Sequence, residues 1–544
     1  MKKISKRVLG LLIVTVMCLG LIAACTPGTP PATPAPTDPG TGQTTDPGTT
    51  PPPAPDPTAP PPEGAQFADF LDIIVDNNPI AVVNPLSPAG SPSSTIWVYN
   101  LIYDRLVRFH GEGQYGPMLA ESWETEDNQS FVFHLRDDVY FHNGDHFTAA
   151  DVAFTVEIAQ AHPGTIGFDR WRDVAEVNVI DPQTVELVLN DVNVDFLFEM
   201  AAASAGILNQ RALNENAETG SWIGTGPYMV TSFSTNDYVA LTRNDAYWDG
   251  PAITRDLVLR FVPEVSTRTT MLMNEESHVC FAISFVDLPM FEADTENFVV
   301  YRWSPVVMNY LGFNQTDPIA NCRYFRLAVA SAIDREEIAA VARGDFAIPE
   351  ETGTLWGLTE FRNNDIPIVP FDLDAARAYL ERSVWNGETV ELATAIATNI
   401  VAAEVVQAQL QQIGLSIEIN AMDPAGLAAY VAFDNNQSQM IIWVGAVTPN
   451  AGSVAQVFLP FGGQNRISHN NPVITQMIEE ARSIDDLNAR RAHYLRMQEI
   501  MAEDPPGFNL FFLVNAAACV SGVAGIDFMF GDFACMRNIH RVLD

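Results

Sequence analysis

The sequence predicts an α/β protein of two or three lobes behind an export leader and a tether. Three observations carry that expectation. Of 544 residues, about 480 follow a proline-rich stretch, too many for one ordinary domain. Up to about Phe261 the chain reads as short strands: Phe131, Phe133 and Leu135 alternate with polar neighbours, and Thr184 to Leu189 does the same. Beyond Phe261 helical and strand patterns alternate.

The elements follow in chain order. Lys2, Lys3, Lys6 and Arg7 precede an apolar run from Val8 to Ala24, the layout of a signal peptide over residues 1–24. Ile22-Ala23-Ala24-Cys25 resembles the lipobox of bacterial lipoproteins, which makes Cys25 the expected lipidated residue; an uncleaved anchor is the alternative, and both export the chain. Residues 25–65 are Pro, Thr, Gly, Ala and Asp with almost no large apolar side chain. Such a stretch cannot offset its ordering entropy and acts as a tether reaching on the order of 100 Å.

After the tether, Asn143-Gly144-Asp145 marks a turn, and Thr148 with Asp151 forms a capping box that opens a helix carrying Val152, Val156 and Ala159 on one face. His134, His142 and His146 fall on a strand and a turn without HExxH or other ligand spacing, so a structural role is expected rather than a metal. Gly224-Thr225-Gly226-Pro227-Tyr228 is a turn that lacks the GK[ST] ending of a phosphate loop. Helices are expected over Arg323–Ile333, Asp372–Leu380, Val401–Ile413, Val473–Ser483 and Leu487–Met501, and a strand over Ser416–Asn420. Asp334 with Glu337 caps another helix that Gly344 stops.

Composition narrows the function. Formal charge is −38, and losing the four basic leader residues makes the remainder still more negative. Nucleic acid and anionic membrane surfaces are therefore poor partners. Lys2, Lys3 and Lys6 are the only lysines, so every cation beyond the leader is an arginine. Cys280, Cys322, Cys519 and Cys535 permit two disulfides in three connectivities. The sequence-local pairing, Cys280 with Cys322 and Cys519 with Cys535, is expected, with buried thiols the alternative. No cofactor motif is found, nor GxSxG, HExxH, SxxK or a thiol motif in its required surroundings. An exported hydrolase using paired carboxylates stays as the alternative from another class, because those need only spatial proximity.

Two blocks, YNLIYDRLVRF from Tyr99 and PMLAESWETEDNQSFVFHLRDDVYFHNGDHFTAADVAFT from Pro117, resemble the signature region of family 5 extracellular solute-binding proteins. GTGPY at Gly224, NDAYW at Asn244, NYLGFNQ at Asn309 and RLAVASAIDREEI at Arg326 resemble later blocks of that family, in family order. The resemblance implies a two-lobed periplasmic-binding-protein-like fold (type II, cluster C) with a hinge and an extra subdomain on lobe 1. It places lobe 1 at about 66–264 plus 505–544, the subdomain at about 89–205, and lobe 2 at about 265–504. It also implies a monomer at the outer face of the cytoplasmic membrane that binds a peptide or other small solute, without cofactor, and serves ABC permease subunits and their ATPases. The same fold could hold a non-peptide solute or act as a sensor.

For the site, Ile441 to Ala446 resembles a W-x-G/A-D segment of the peptide receptors, which puts Trp443 and Gly445 at the cleft. Trp356, Phe285, Tyr228 and Asn465 fall near other cleft segments of the family. The family's acid is replaced by Ala446 and a nearby arginine by Ile441. Free peptides held by their α-amine are therefore disfavoured, since a buried ammonium without a counter-charge costs several kcal/mol.

Overall fold

The structure, a computed structural model, describes residues 64–75, 85–86, 93–111, 114–163, 165–281, 283–357, 359–446, 450–460, 464–528 and 534–543. The expected leader, Cys25 and nearly all of the tether lie outside the described residues. No described helix is long and apolar enough to cross a membrane.

Two long strands organise the molecule. Phe298–Phe313 and Gly507–Val520 are rich in aromatic and β-branched residues and pair antiparallel, from Phe298 opposite Val520 to Gly312 opposite Gly507. Their register breaks between Trp303 and Val307. On one side of the break, Gly507–Val520 continues through Val279–Cys280 to Phe70–Ile74, Asp256–Arg260, Tyr238–Arg243 and Tyr228–Ser234. On the other, Phe298–Phe313 pairs with Met440–Ala446, which leads to Val390–Thr394 and Ile417–Ala421, the last three mutually parallel.

The cores divide accordingly. The first gathers Leu71, Ile73, Tyr99, Leu257, Leu272, Val279, Tyr301 and Cys519. It therefore extends well past residue 264, where the sequence placed the end of lobe 1, because the strand pair changes cores only at its register break. A subdomain core is drawn from Leu106 to Ile207 around the four-stranded sheet Ala120–Glu124, Ser130–Leu135, Thr184–Leu189 and Val174–Asp181. The second lobe buries both faces of its sheet, one against the helices Arg323–Ala332, Arg335–Arg343 and Ala397–Gln411, the other against Pro472–Ala481 and Leu487–Glu503.

Local signals explain the element ends. Asp151 accepts from the Thr148 backbone N–H at 3.0 Å and from its hydroxyl at 3.1 Å, opening the helix Ala149–Gln160. Asp334 accepts from the Glu336 and Glu337 N–H groups, and Gly344 ends that helix at a φ of 55°.

Neither expected disulfide is made. Cys322 sits at the start of its helix beside the second core, whereas Cys280 lies inside the first. Cys322 and Cys519 are free thiols, and burial pushes the Cys519 thiol well above its ordinary value. Cys519 is registered opposite Val279, and Cys280 opposite Ala518. Sheet alternation thus sends the side chains of Cys280 and Cys519 to opposite faces. Cys535 lies on a short strand, and its side chain is outside those described. Spacing along the chain misleads here because a strand pair more than two hundred residues apart in sequence decides which cysteines are neighbours.

Candidate functional site

Three sequence blocks meet at one carboxylate. Asp104, from the first block, is fully buried and accepts from Thr225 Oγ1 at 3.1 Å, Tyr247 Oη at 2.9 Å and Trp248 Nε1 at 2.9 Å. Burial raises its pKa more than these three donors lower it. His142 fastens the same region: its backbone N–H donates to Gly224 O at 2.9 Å, Nδ1 accepts from Gly224 N–H at 3.3 Å and Nε2 donates to Gly226 O at 3.0 Å. That pattern requires the neutral ring, and burial holds its pKa down at about 4. His134 faces Glu124 and His146 faces the Asp137 carbonyl. These blocks build the frame of the first lobe rather than a reactive centre.

The sequence-selected wall residues separate into three groups. Tyr228 is fully buried in the first core and donates to Thr254 O at 2.9 Å. Trp356 is also fully buried, stacked on Phe458 with ring centroids 6.1 Å apart and tilted against Tyr494 at 5.6 Å. Its carbonyl takes bonds from Arg362 and Asn509. Both aromatics are packed inside the protein cores. Phe285 is half-buried at the rim of the first core, with the Arg343 guanidinium 5.4 Å from its ring centre.

Trp443 occupies the position the sequence reading favours most. It is the central residue of Met440–Ala446 and the first past the parallel pairing of that strand with Val390–Thr394, the side on which open parallel sheets form their crevices. It is half-buried, registered opposite the fully buried Tyr310. Gly445 is buried against Met308, whose Cε lies 2.5 Å from where a Cβ would stand, so its small size is a packing requirement. Ala446 closes the strand.

Asn465 is fully buried, with its amide bonded to the backbone of its own loop. Its Nδ2 donates to Leu459 O at 2.9 Å and His469 O at 2.8 Å, while Oδ1 accepts from the Ile467 and His469 N–H groups. It staples the loop whose next residue is Arg466. The Arg466 guanidinium lies over the Trp443 ring, 5.1 Å from its centre. Sequence reading passed over Arg466, although in a chain whose only lysines are Lys2, Lys3 and Lys6 an arginine beside a selected residue was a usable signal.

The subdomain meets the second lobe at a polar rim. Asp195 is largely buried and lies 3.5 Å from Arg490. Gly452 lets it approach, since a Cβ there would meet Asp195 Oδ2 at 2.7 Å. Arg482 bonds Asp173 at 2.8 Å, Val194 N–H donates to Arg482 O at 3.2 Å, and Asn128 reaches Asp485 at 3.2 Å. Every one of these contacts joins the subdomain to the second lobe.

Two cores joined through one antiparallel strand pair make a two-lobed α/β body of the kind that solute receptors use. The family profile of bacterial extracellular solute-binding proteins, family 5 (Middle), matches residues 114–469. The chain belongs to that family. It is 22% identical to the nickel-binding periplasmic protein of Escherichia coli over 447 residues, covering 76% of this chain and 84% of the relative. It is 24% identical to the dipeptide-binding protein of the same organism over 450 residues, covering 74% and 82%. Among solved structures, NikA of Brucella suis in complex with Fe(III)-EDTA superposes with a TM-score of 0.78 at 20% identity, covering 87% of this chain and 99% of that one. A dipeptide-binding protein from a Pseudoalteromonas species in complex with Met-Leu gives 0.75 at 21%, covering 87% and 100%. At these identities the structural likeness shows the fold.

Proposed function

We propose that this protein is the lipid-anchored receptor of an ABC importer, taking a peptide or peptide-like solute between its lobes and passing it to a membrane permease. The observation that carries the reading is Trp443, half-buried just past the parallel ladder and paired to the strand pair that links the cores. A cleft needs an aromatic wall that gains contact on closure, and a hinge that lets the lobes move. Lipidation at Cys25 and the tether would keep the receptor at the membrane that holds its permease.

Native mass spectrometry of the full-length chain tests capture directly, and a stoichiometric co-purified solute is expected. With that solute, Trp443→Ala should weaken binding by about 1–3 kcal/mol in calorimetry and leave the fold intact. Unchanged affinity would remove Trp443 from the site. Release of a chemically altered product over time would instead favour a hydrolase.

A further inference from the structure

The arginines of this chain differ in their partners, and Arg466 shares with Arg335, Arg343 and Arg382 a place over an aromatic ring with no ion pair among the described residues. Most of them face a carboxylate: Arg260 meets Asp72, Arg302 meets Glu292, Arg362 meets Glu350, Arg541 meets Glu275. Arg466 makes no ion pair among the described residues, and its buried Nε has no hydrogen-bond partner. The group is partly desolvated, and burial pushes its pKa down from the ordinary guanidinium value. A protein with 67 acidic residues against 29 basic ones has left this cation without one.

The surroundings are built rather than accidental. Four hydrogen bonds from Asn465 fix the loop, Asn436 donates to Arg466 O at 3.0 Å, and Gln315 N–H donates to Ile467 O at 2.8 Å. The Trp443 face supports the guanidinium plane from one side. Tyr310, opposite Trp443 in the sheet, is fully buried, and its hydroxyl has no partner among the described residues. Burial raises the Tyr310 pKa, and the positive charge of Arg466 works against that rise. A rigid scaffold that holds a planar donor fork and a spare hydroxyl, with Val444, Gly445 and Ala446 supplying no acid, suits one chemistry. A carboxylate accepts two parallel N–H bonds from such a fork and supplies the missing counter-charge.

Resting on the receptor reading above, we propose that Arg466 is the anchor of the binding site and that it takes a free carboxylate of a peptidic solute. The solute is then held by its acidic end, and the Trp443 ring packs against the portion next to that carboxylate. Specificity follows from charge. An amidated or esterified solute leaves the guanidinium unpaired and loses its hold, while blocking the solute's amine has little effect.

The test exposes the full-length chain to an enzymatic casein hydrolysate, and separately to the same hydrolysate after methyl esterification of its carboxylates. Native mass spectrometry reads the retained species. The expected result is a retained peptide from the untreated mixture and at least tenfold less retention from the esterified one. Arg466→Gln should lower retention at least tenfold, and Arg466→Lys should restore part of it with the same thermal midpoint. Equal retention from both mixtures, or full retention by Arg466→Gln, overturns the anchor while leaving the receptor reading standing. Retention of nothing from either mixture overturns the peptide-receptor reading and the anchor together.

Discussion

The rim contact between Asp195 and Arg490 should control closure rather than folding. Asp195 belongs to the subdomain core's α-helix start, and Arg490 to Leu487–Glu503 in the second lobe. Their side chains are 17% and 10% exposed, so Asp195→Ala leaves a guanidinium desolvated and unpaired. Removing one partner of a buried pair costs about 3–5 kcal/mol. The 3.5 Å separation and the partial exposure place this pair at the lower end, on the order of 3 kcal/mol. Because the two groups lie on different lobes, that cost falls on the state in which the lobes touch. A penalty of about 3 kcal/mol shifts an open-to-closed ratio by roughly 150-fold. Small-angle scattering of the ligand-free variant should show a larger radius of gyration than the parent, with urea midpoints of the two lobes unchanged. An unfolding free energy lower by the full amount at an unchanged radius of gyration would refute the reasoning, placing the pair in the fold itself. Arg482 and Asp173 are about a third or more exposed, so breaking that pair should move closure by less than about 1 kcal/mol.

Three further outcomes are expected. Asp104→Ala strands three buried donors at about 1 kcal/mol or more each and should lower stability in urea by at least about 3 kcal/mol; Asp104→Asn, which keeps an acceptor oxygen, should lose less than half of that. His142 sits well below its ordinary pKa of 6.5, at about 4, so the unfolded chain takes up the proton first. Stability should therefore be full above pH 6.5 and fall as pH drops toward 4, by up to about 3 kcal/mol, measured as the difference in pH slope between the parent and His142→Gln. Asp104, raised by burial, favours the fold as pH falls and works in the opposite direction, which is why the comparison with His142→Gln is needed. Trp356→Ala should cost about 3–5 kcal/mol of stability, as a fully buried aromatic does, and leave the intrinsic affinity for solute unchanged in calorimetry below its melting temperature.

Much of the fold was legible because its signals are local. The Thr148 and Asp334 caps, the Gly344 stop and the period-two strand at Thr184–Leu189 each depend on a few neighbouring residues. Element ends came out within a few residues where helices were read, as at Arg323–Ala332 and Leu487–Glu503. Site residues were less legible. Trp356 and Tyr228 carry the same aromatic chemistry whether they face a cleft or a core, and composition cannot tell the two apart. The Asn465 amide spends all its bonds on the backbone, while its neighbour Arg466 lies over Trp443, a contact that no local pattern announces. The cysteine pairing failed for a similar reason: Cys519 reaches the first core by crossing the whole molecule on one strand.

By itself the sequence determined the class of chain: an α/β body, a strongly acidic charge and the motif blocks of one receptor family. Those properties depend on composition and on short-range order, which survive without coordinates. Only the tertiary structure decided where the cores divide, that the expected cysteine pairs are not made, which of the selected aromatics are fully buried, and that Arg466 stands over Trp443 with no ion pair among the described residues. Each of these depends on residues brought together across long stretches of chain, and such meetings are settled by sheet register and core packing rather than by local pattern.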